Sequence, residues 1–331
     1  MVRHRAGFPS PRSPGDVKQS LRTGLPHLPG WIAAFALLIG WLACASPASA
    51  QELEPRAYTN LPIGLNFAAV AYGFSEGGVA TDPSVPLEDA HIKVQTGAVA
   101  YVRSLAIGQM ASKLDIIVPY SSLSGTARFA GQPVSRDVSG FNDPRFRLSV
   151  NFYGAPAVDL KEYAKLKPDF VAGASVQVVA PLGQYDSSRL VNLGTNRWTF
   201  KPDIGFSKKI QRLTFDMTLG VAFFTDNDNF YGGQHVDQDP IVSTQANVSY
   251  DFGKGIWASF GVTYYAGGRT TQDGVEKNNE LGNSRAGLTV SFPINRYYSM
   301  KFNVSGGVSV RTGTNFRTVG VGLQYRWGAG L

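Results

Sequence analysis

The chain has 331 residues, of which 17% are charged, 43% hydrophobic and 37 are glycine, with a formal charge of +7 and a mean hydropathy of −0.09. Charge is low against about 25% in an average globular chain, and the single cysteine excludes a disulfide scaffold. A helical membrane protein is excluded as well: the one continuously apolar run, residues 31–45, falls short of the roughly 18 residues a spanning helix needs.

The first fifty residues read as an address. Arg3, Arg5, Arg12, Lys18 and Arg22 precede the apolar run, and Ser46-Pro47-Ala48-Ser49-Ala50 follows it. That is the charged, apolar, small-residue order of a secretory signal peptide. Residues 1–50 are therefore expected to be removed, with Ala48 and Ala50 as the small residues at the cleavage site, leaving 51–331 as the mature domain. Cys44 raises a lipoprotein reading, but Trp41 is a poor residue three positions before an acylated cysteine. Loss of five basic residues and one acidic takes the formal charge to +3, too little for the basic stripe of a nucleic-acid binder. The cysteine leaves too, which suits an oxidising compartment.

From Gln51 onward the pattern has period two. Trp198, Phe200, Pro202, Ile204 and Phe206 alternate with Arg197, Thr199, Lys201, Asp203 and Gly205, and Phe146, Leu148, Val150 and Phe152 with Arg145, Arg147, Ser149 and Asn151. Twelve such segments are predicted, near 63–74, 91–103, 113–121, 144–153, 169–181, 196–207, 213–225, 241–252, 256–266, 283–292, 299–311 and 317–327. Soluble strands average about 5–6 residues, whereas a tilted strand crossing a bilayer needs about 9–11. In lipid every backbone polar group must be paired, and without spanning helices only a closed barrel achieves that. The expected fold is an all-β, antiparallel, transmembrane β-barrel of about twelve strands in the outer membrane of a Gram-negative bacterium. Its outer loops are expected at 75–90, 122–143, 182–195, 226–240, 267–282 and 312–316, and its inner turns at 104–112, 154–168, 208–212, 253–255 and 293–298, with one or two helical turns between Asp159 and Lys167.

Aromatics near strand ends, such as Trp198, Phe223, Tyr250, Tyr297 and Tyr325, match interfacial girdles. The last strand carries Gly322, then Tyr325 and Trp327 three and five positions later. That spacing resembles the signal read by the barrel-assembly machinery, although here the chain continues past the aromatic to Leu331.

Several motifs, Asp143-Pro144-Arg145-Phe146-Arg147, Asn151-Phe152-Tyr153-Gly154-Ala155-Pro156-Ala157, Pro181-Leu182-Gly183-Gln184-Tyr185 and Gly194-Thr195-Asn196-Arg197-Trp198 among them, together resemble the family of outer-membrane transporters of the meta-cleavage pathway of phenol degradation. The resemblance spans nearly the whole mature chain. It implies a barrel that passes small aromatic or hydrophobic molecules.

Catalytic chemistry is sparse in the mature chain. His91 and His235 are its only histidines, no segment matches a barrel phospholipase, and no Cys/His spacing suits zinc. Asp226-Asn227-Asp228-Asn229 lacks the glycine and distal glutamate of a calcium loop. No cofactor is expected. Inward-pointing charge is more informative. Lys93, Arg103, Arg145, Arg147, Arg197, Lys201, Asp203, Asp216, Arg285, Lys301, Arg311 and Arg326 are expected to line the lumen, a basic excess that favours anions, with the 75–90 loop folded inward as a constriction. The expected partners are outer-membrane lipid, the assembly machinery and a small organic molecule. The rival readings are a structural or adhesion barrel with a plugged lumen, and a barrel lipase with a serine beside His91 or His235.

Overall fold

The computed structural model describes residues 54–80, 87–129, 131–166 and 169–331. The leader, with Ala48 and Ala50, lies outside the described residues, as does Lys167.

The wall is built from β1 (Leu65–Ala80), β2 (Leu87–Ile107), β3 (Met110–Phe129), β4 (Gln132–Phe141), β5 (Arg145–Tyr153), β6 (Phe170–Val179), β7 (Thr199–Ile210), β8 (Leu213–Phe224), β11 (Ile241–Gly253), β12 (Ile256–Gly267), β15 (Leu281–Pro293), β16 (Tyr298–Ser309) and β17 (Gly313–Gly328). Every neighbour pair is antiparallel, β2 returns to pair with β3, and β1 pairs with β17 from Leu65↔Gly328 to Ala80↔Gly313, so the wall closes on itself, while β4 keeps one edge outside the ladder. β4 and β5 both pair with β3, one above the other, and form a single wall position interrupted at Asn142–Pro144. Twelve positions close the barrel.

Alternation decides which side each residue faces. Val70, Val99, Val118, Leu148, Val176, Phe200, Phe215, Val242, Phe260, Val290, Phe302 and Val319 are exposed and share one face, with Val70 in register with Val99, Val99 with Val118, Leu148 with Val176 and Val290 with Phe302, so they form the lipid-facing band. Opposite them, Ser149, Asn151, Ser175, Asp216, Asn247, Ser259, Thr263, Asn283, Arg285 and Thr289 are buried polar residues on the interior face. Aromatic pairs stand outside near the strand ends, with Tyr325 stacked on Trp327 at 5.4 Å and Tyr298 5.0 Å from Tyr325 at the inner end, and Tyr120 edge-on to Phe141 at 5.3 Å at the other. Amphipathic rings fit that depth because one edge is apolar and the other wet.

The inner turns are tight. Lys254 and Gly255 join β11 to β12 with φ of 53° and 80°, the two left-handed residues that a two-residue hairpin turn of matching twist requires. The longer inner connection holds α1 (Leu160–Tyr163), a single turn whose first backbone donors include Glu162 N–H on the Asp159 carboxylate at 2.8 Å. At the outer end the strands continue where loops were expected. β1, β2, β3 and β4 run through most of 75–90 and 122–143, because alternation persists there with polar residues on the outer face. The expected inward fold of the 75–90 loop does not hold for 75–80 and 87–90, which are wall strand, and 81–86 lie outside the described residues. A small second sheet of β9 (Asn227–Phe230), β10 (Gln234–Gln238), β13 (Thr270–Gln272) and β14 (Val275–Glu276) stands beyond the outer rim.

Candidate functional site

The interior divides into three zones, and the innermost has no counterpart in the strand pattern of the sequence. Residues 54–64, ahead of β1, lie inside the barrel at its inner end. Ser104 Oγ donates to the Pro62 carbonyl at 2.6 Å and accepts from Leu65 N–H at 2.9 Å, which turns the chain inward. Tyr58 is 2% exposed. Its hydroxyl donates to Asp203, its carbonyl accepts from Asn151 Nδ2 at 3.2 Å, and its ring occupies a bay left by the paired glycines Gly173 and Gly205. A Cβ on Gly173 would come within 2.5 Å of that ring, and one on Gly205 within 1.9 Å. Arg147 stands beside it, joined to Glu54, 3.4 Å from Asp203 and 2.8 Å from Ser175 Oγ, with its guanidinium 5.8 Å from the Tyr58 ring centroid. Arg56 N–H donates to Asp216 at 3.3 Å, and Lys113 donates to the Ala57 carbonyl.

The segment therefore packs on β5 to β8 and leaves the opposite side of the lumen free. There a cavity of about 1030 Å³ is lined by the segment itself and by residues of β1 to β3, β11, β12 and β15 to β17. Five bases (Arg56, Lys113, Lys254, Lys301, Arg326) and three acids (Glu54, Asp115, Asp251) border it. The Trp257 ring lies between Arg56 and Lys301, 5.3 and 5.8 Å from them.

The outer zone is apolar inside. Ile92, Leu123 and Phe316 are buried together, with Val79, Val94, Val138, Val191 and Leu193 packed on them. The last two come from the connection between β6 and β7, residues 180–198, which folds back into the mouth. Asp143, in the interruption between β4 and β5, holds that connection: one carboxylate oxygen accepts from Gly183 N–H at 2.9 Å, the other from Thr195 N–H and Thr195 Oγ, both at 2.7 Å. Gly183 and Gly194 approach Asp143 so closely that a Cβ would meet its backbone or carboxylate at 2.7–3.0 Å.

The residues expected to line the lumen separate accordingly. Arg145, Arg147, Lys201, Asp203, Asp216, Arg285, Lys301 and Arg326 sit on interior-facing positions. Arg285 is 3% exposed and tied to the wall, donating to Ser305 Oγ at 2.6 Å and Thr318 Oγ at 2.8 Å. Arg197 stands at the outer mouth, its guanidinium 4.6 Å from the Phe224 ring centroid and donating to Gln238. Three expectations are corrected. Lys93 and Arg103 share the outward face of β2 with Val99, in register with Glu76 and Asn66 of β1. A charge is tolerated there because both are solvent-exposed toward the ends of a strand longer than the membrane needs. Arg311 lies in the turn after β16, where its guanidinium meets Glu280 at 2.9 Å on the outer rim.

His235 begins in β10 with Nδ1 2.8 Å from Asp228 and Nε2 3.9 Å from Asp226, so both ring nitrogens face carboxylates and not a serine. Hydrogen bonding to Asp228 raises its pKa above the usual histidine value. Asn227 is 3% exposed, and its side chain serves Asn196, Tyr185 and Asn229 N–H, which makes 226–229 a structural turn. Among the described residues no cluster of three metal-ligating side chains occurs.

A closed antiparallel barrel with an apolar outer band, interfacial aromatics and a polar, partly filled interior is an outer-membrane β-barrel. The chain belongs to the family described as "Putative MetA-pathway of phenol degradation", whose model matches residues 72–327. The fold is similar to that of an outer membrane channel from Pseudomonas putida F1, with a TM-score of 0.72 at 18% identity over 83% of this chain and 100% of that one. Lower similarity is found to the KdgM porin (TM-score 0.44, 9% identity, 78% and 98% covered) and to the CymD monoaromatic hydrocarbon channel (0.42, 8%, 86% and 98%). No curated protein matches the sequence.

Proposed function

We propose that this protein is a passive outer-membrane channel for small organic molecules, with a preference for aromatic and anionic ones. The observation that carries this reading is the one-sided placement of residues 54–64, which fills the β5 to β8 side of the lumen and leaves a 1030 Å³ cavity with a basic excess beside it. The cavity is bordered by charged groups and is far larger than a water molecule, so it can hold water and a small solute. Five bases against three acids favour anions. The family's link to phenol degradation supports aromatic cargo.

The chain is addressed, in this reading, by residues 1–50 with cleavage after Ala50, and Tyr325 and Trp327 on the outward face of the last strand serve the barrel-assembly machinery together with Gly322. Planar-bilayer recording of the refolded mature protein tests the function. Discrete conductance steps with a reversal potential toward anions are expected; a silent bilayer from folded protein refutes the channel and favours the structural barrel.

A further inference from the structure

A second cavity, of about 370 Å³, opens in the outer zone. Its walls are the interior faces of β1 to β4 and residues 188–191 of the inward-folded connection, with Val79, Ile92, Leu123, Val134, Leu190 and Val191 among its lining and Tyr231 at its border. That volume lies at the low end of small-molecule sites, about 300–1,000 Å³.

Two charged side chains border this apolar space, the half-buried Arg136 and the exposed Arg189. Arg136, on β4, lines it; Nε donates to the Val191 carbonyl at 3.1 Å, which orients the planar guanidinium. Its Nη2 is buried and has no hydrogen-bond partner. The nearby acid does not supply one: Asp186 Oδ1 accepts from Ser188 N–H at 2.9 Å and Ser188 Oγ at 2.7 Å, and those bonds hold it below the usual carboxylate range. A buried donor left unsatisfied beside an empty apolar cavity is costly in a structure with no further use for it.

We propose that this cavity is a binding site for a small organic monocarboxylate with a compact apolar body, the body against Ile92, Leu123 and Val191 and the carboxylate on the Arg136 guanidinium. The assignment rests on the channel reading, which it deepens by naming the head group that the outer mouth selects. A guanidinium donates to a carboxylate in a charge-assisted bond, and fixed orientation through Val191 gives that bond direction.

The test is binding rather than transport, so that its failure is distinct from failure of the channel. Benzoate is titrated calorimetrically into the refolded mature protein in detergent, with toluene as the neutral probe. Arg136→Gln is compared with Arg128→Gln, a charge removal on the solvent-exposed side of the neighbouring strand. Saturable benzoate binding is expected, weakened about 10-fold to 100-fold in Arg136→Gln and unchanged in Arg128→Gln, with Arg136→Lys intermediate. Heat-modifiable migration on gels verifies that each variant is folded; if Arg136→Gln does not fold, Arg136→Lys against wild type decides. Benzoate binding that is absent, unaffected by both Arg136 substitutions, or matched by toluene overturns the proposal. Conductance with no benzoate binding leaves the channel standing and removes this site.

Discussion

Removing the Tyr58 ring should release residues 54–64 while leaving the barrel intact. None of the wall's ladder bonds involves Tyr58, whose contacts are with Asp203, Asn151, Arg147 and the glycine bay. Truncating a buried aromatic to alanine costs about 3–5 kcal/mol, and here that loss falls on docking of the segment. At tenfold per 1.4 kcal/mol, the docking constant drops by roughly 150-fold to 4,000-fold. The same contact can be attacked from the wall. Gly205 has no left-handed φ, so its strand accepts alanine, but the new methyl would stand 1.9 Å from the ring. Overpacking of that kind costs about 1–3 kcal/mol. The two changes should therefore couple: Gly205→Ala weakens docking when Tyr58 is present and does nothing once Tyr58→Ala has emptied the bay. Amide exchange at Thr59 and Ile63, whose N–H groups donate to Arg56 and Val158 carbonyls at 3.1 and 2.9 Å, reports docking, and single-channel conductance reports the widened lumen. If Gly205→Ala speeds exchange equally in both backgrounds, or if Tyr58→Ala leaves exchange and conductance unchanged, the ring does not hold the segment.

Asp143→Ala removes three hydrogen bonds to one carboxylate, each worth about 1.5–3 kcal/mol as charged bonds; exchange at Gly183 and Thr195 should rise by at least a hundredfold, and protection retained there would contradict the anchoring role. Lys301→Glu reverses a charge on the basic cavity and should move the reversal potential toward cations, an effect visible in bilayers under a salt gradient; an unchanged potential would place the ion path elsewhere. His235 should titrate above the ordinary histidine value and fall back in Asp228→Asn, as read by NMR. Because its folded pKa is raised, its contribution to the outer sheet is fully present below the ordinary value and is lost as pH rises through the folded one. N-terminal sequencing of protein from outer membranes should begin at Gln51; any retained leader would refute cleavage after Ala50.

Strand existence was legible because lipid on one side and water on the other enforce period two over ten or more residues, as in 144–153 and 196–207. The facing of charges was less so. Arg147 and Lys201 alternate with lipid-facing neighbours inside the apolar band and point inward. Lys93 and Arg103 occur near the ends of β2, where the apolar constraint lapses and a charge no longer reports its side. The outer strand extensions lie beyond the apolar band and carry polar residues outside, so period two does not set them apart from loops. Residues 54–64 carry no period because they follow no sheet, and Tyr58 is one tyrosine among fourteen. A faint signal for it exists in Gly173 and Gly205, two interior-facing glycines in register on adjacent strands, which leave a hollow that some other part of the chain must fill. Arg136 lay within an expected loop, so nothing marked it as facing a cavity.

The seam between β1 and β17 joins the two wall strands farthest apart in sequence. No enclosed interior exists until the C-terminal strand has arrived, so the cavity beside residues 54–64, one wall of which is β17, is complete only at the end of synthesis. Loop-closure entropy grows only with the logarithm of loop length, which keeps the penalty in stability small. The burden falls on folding rate, since contacts of such long range form late. Because residues 54–64 are adjacent to the seam and occupy the inner end, they can dock after the wall closes without threading through it.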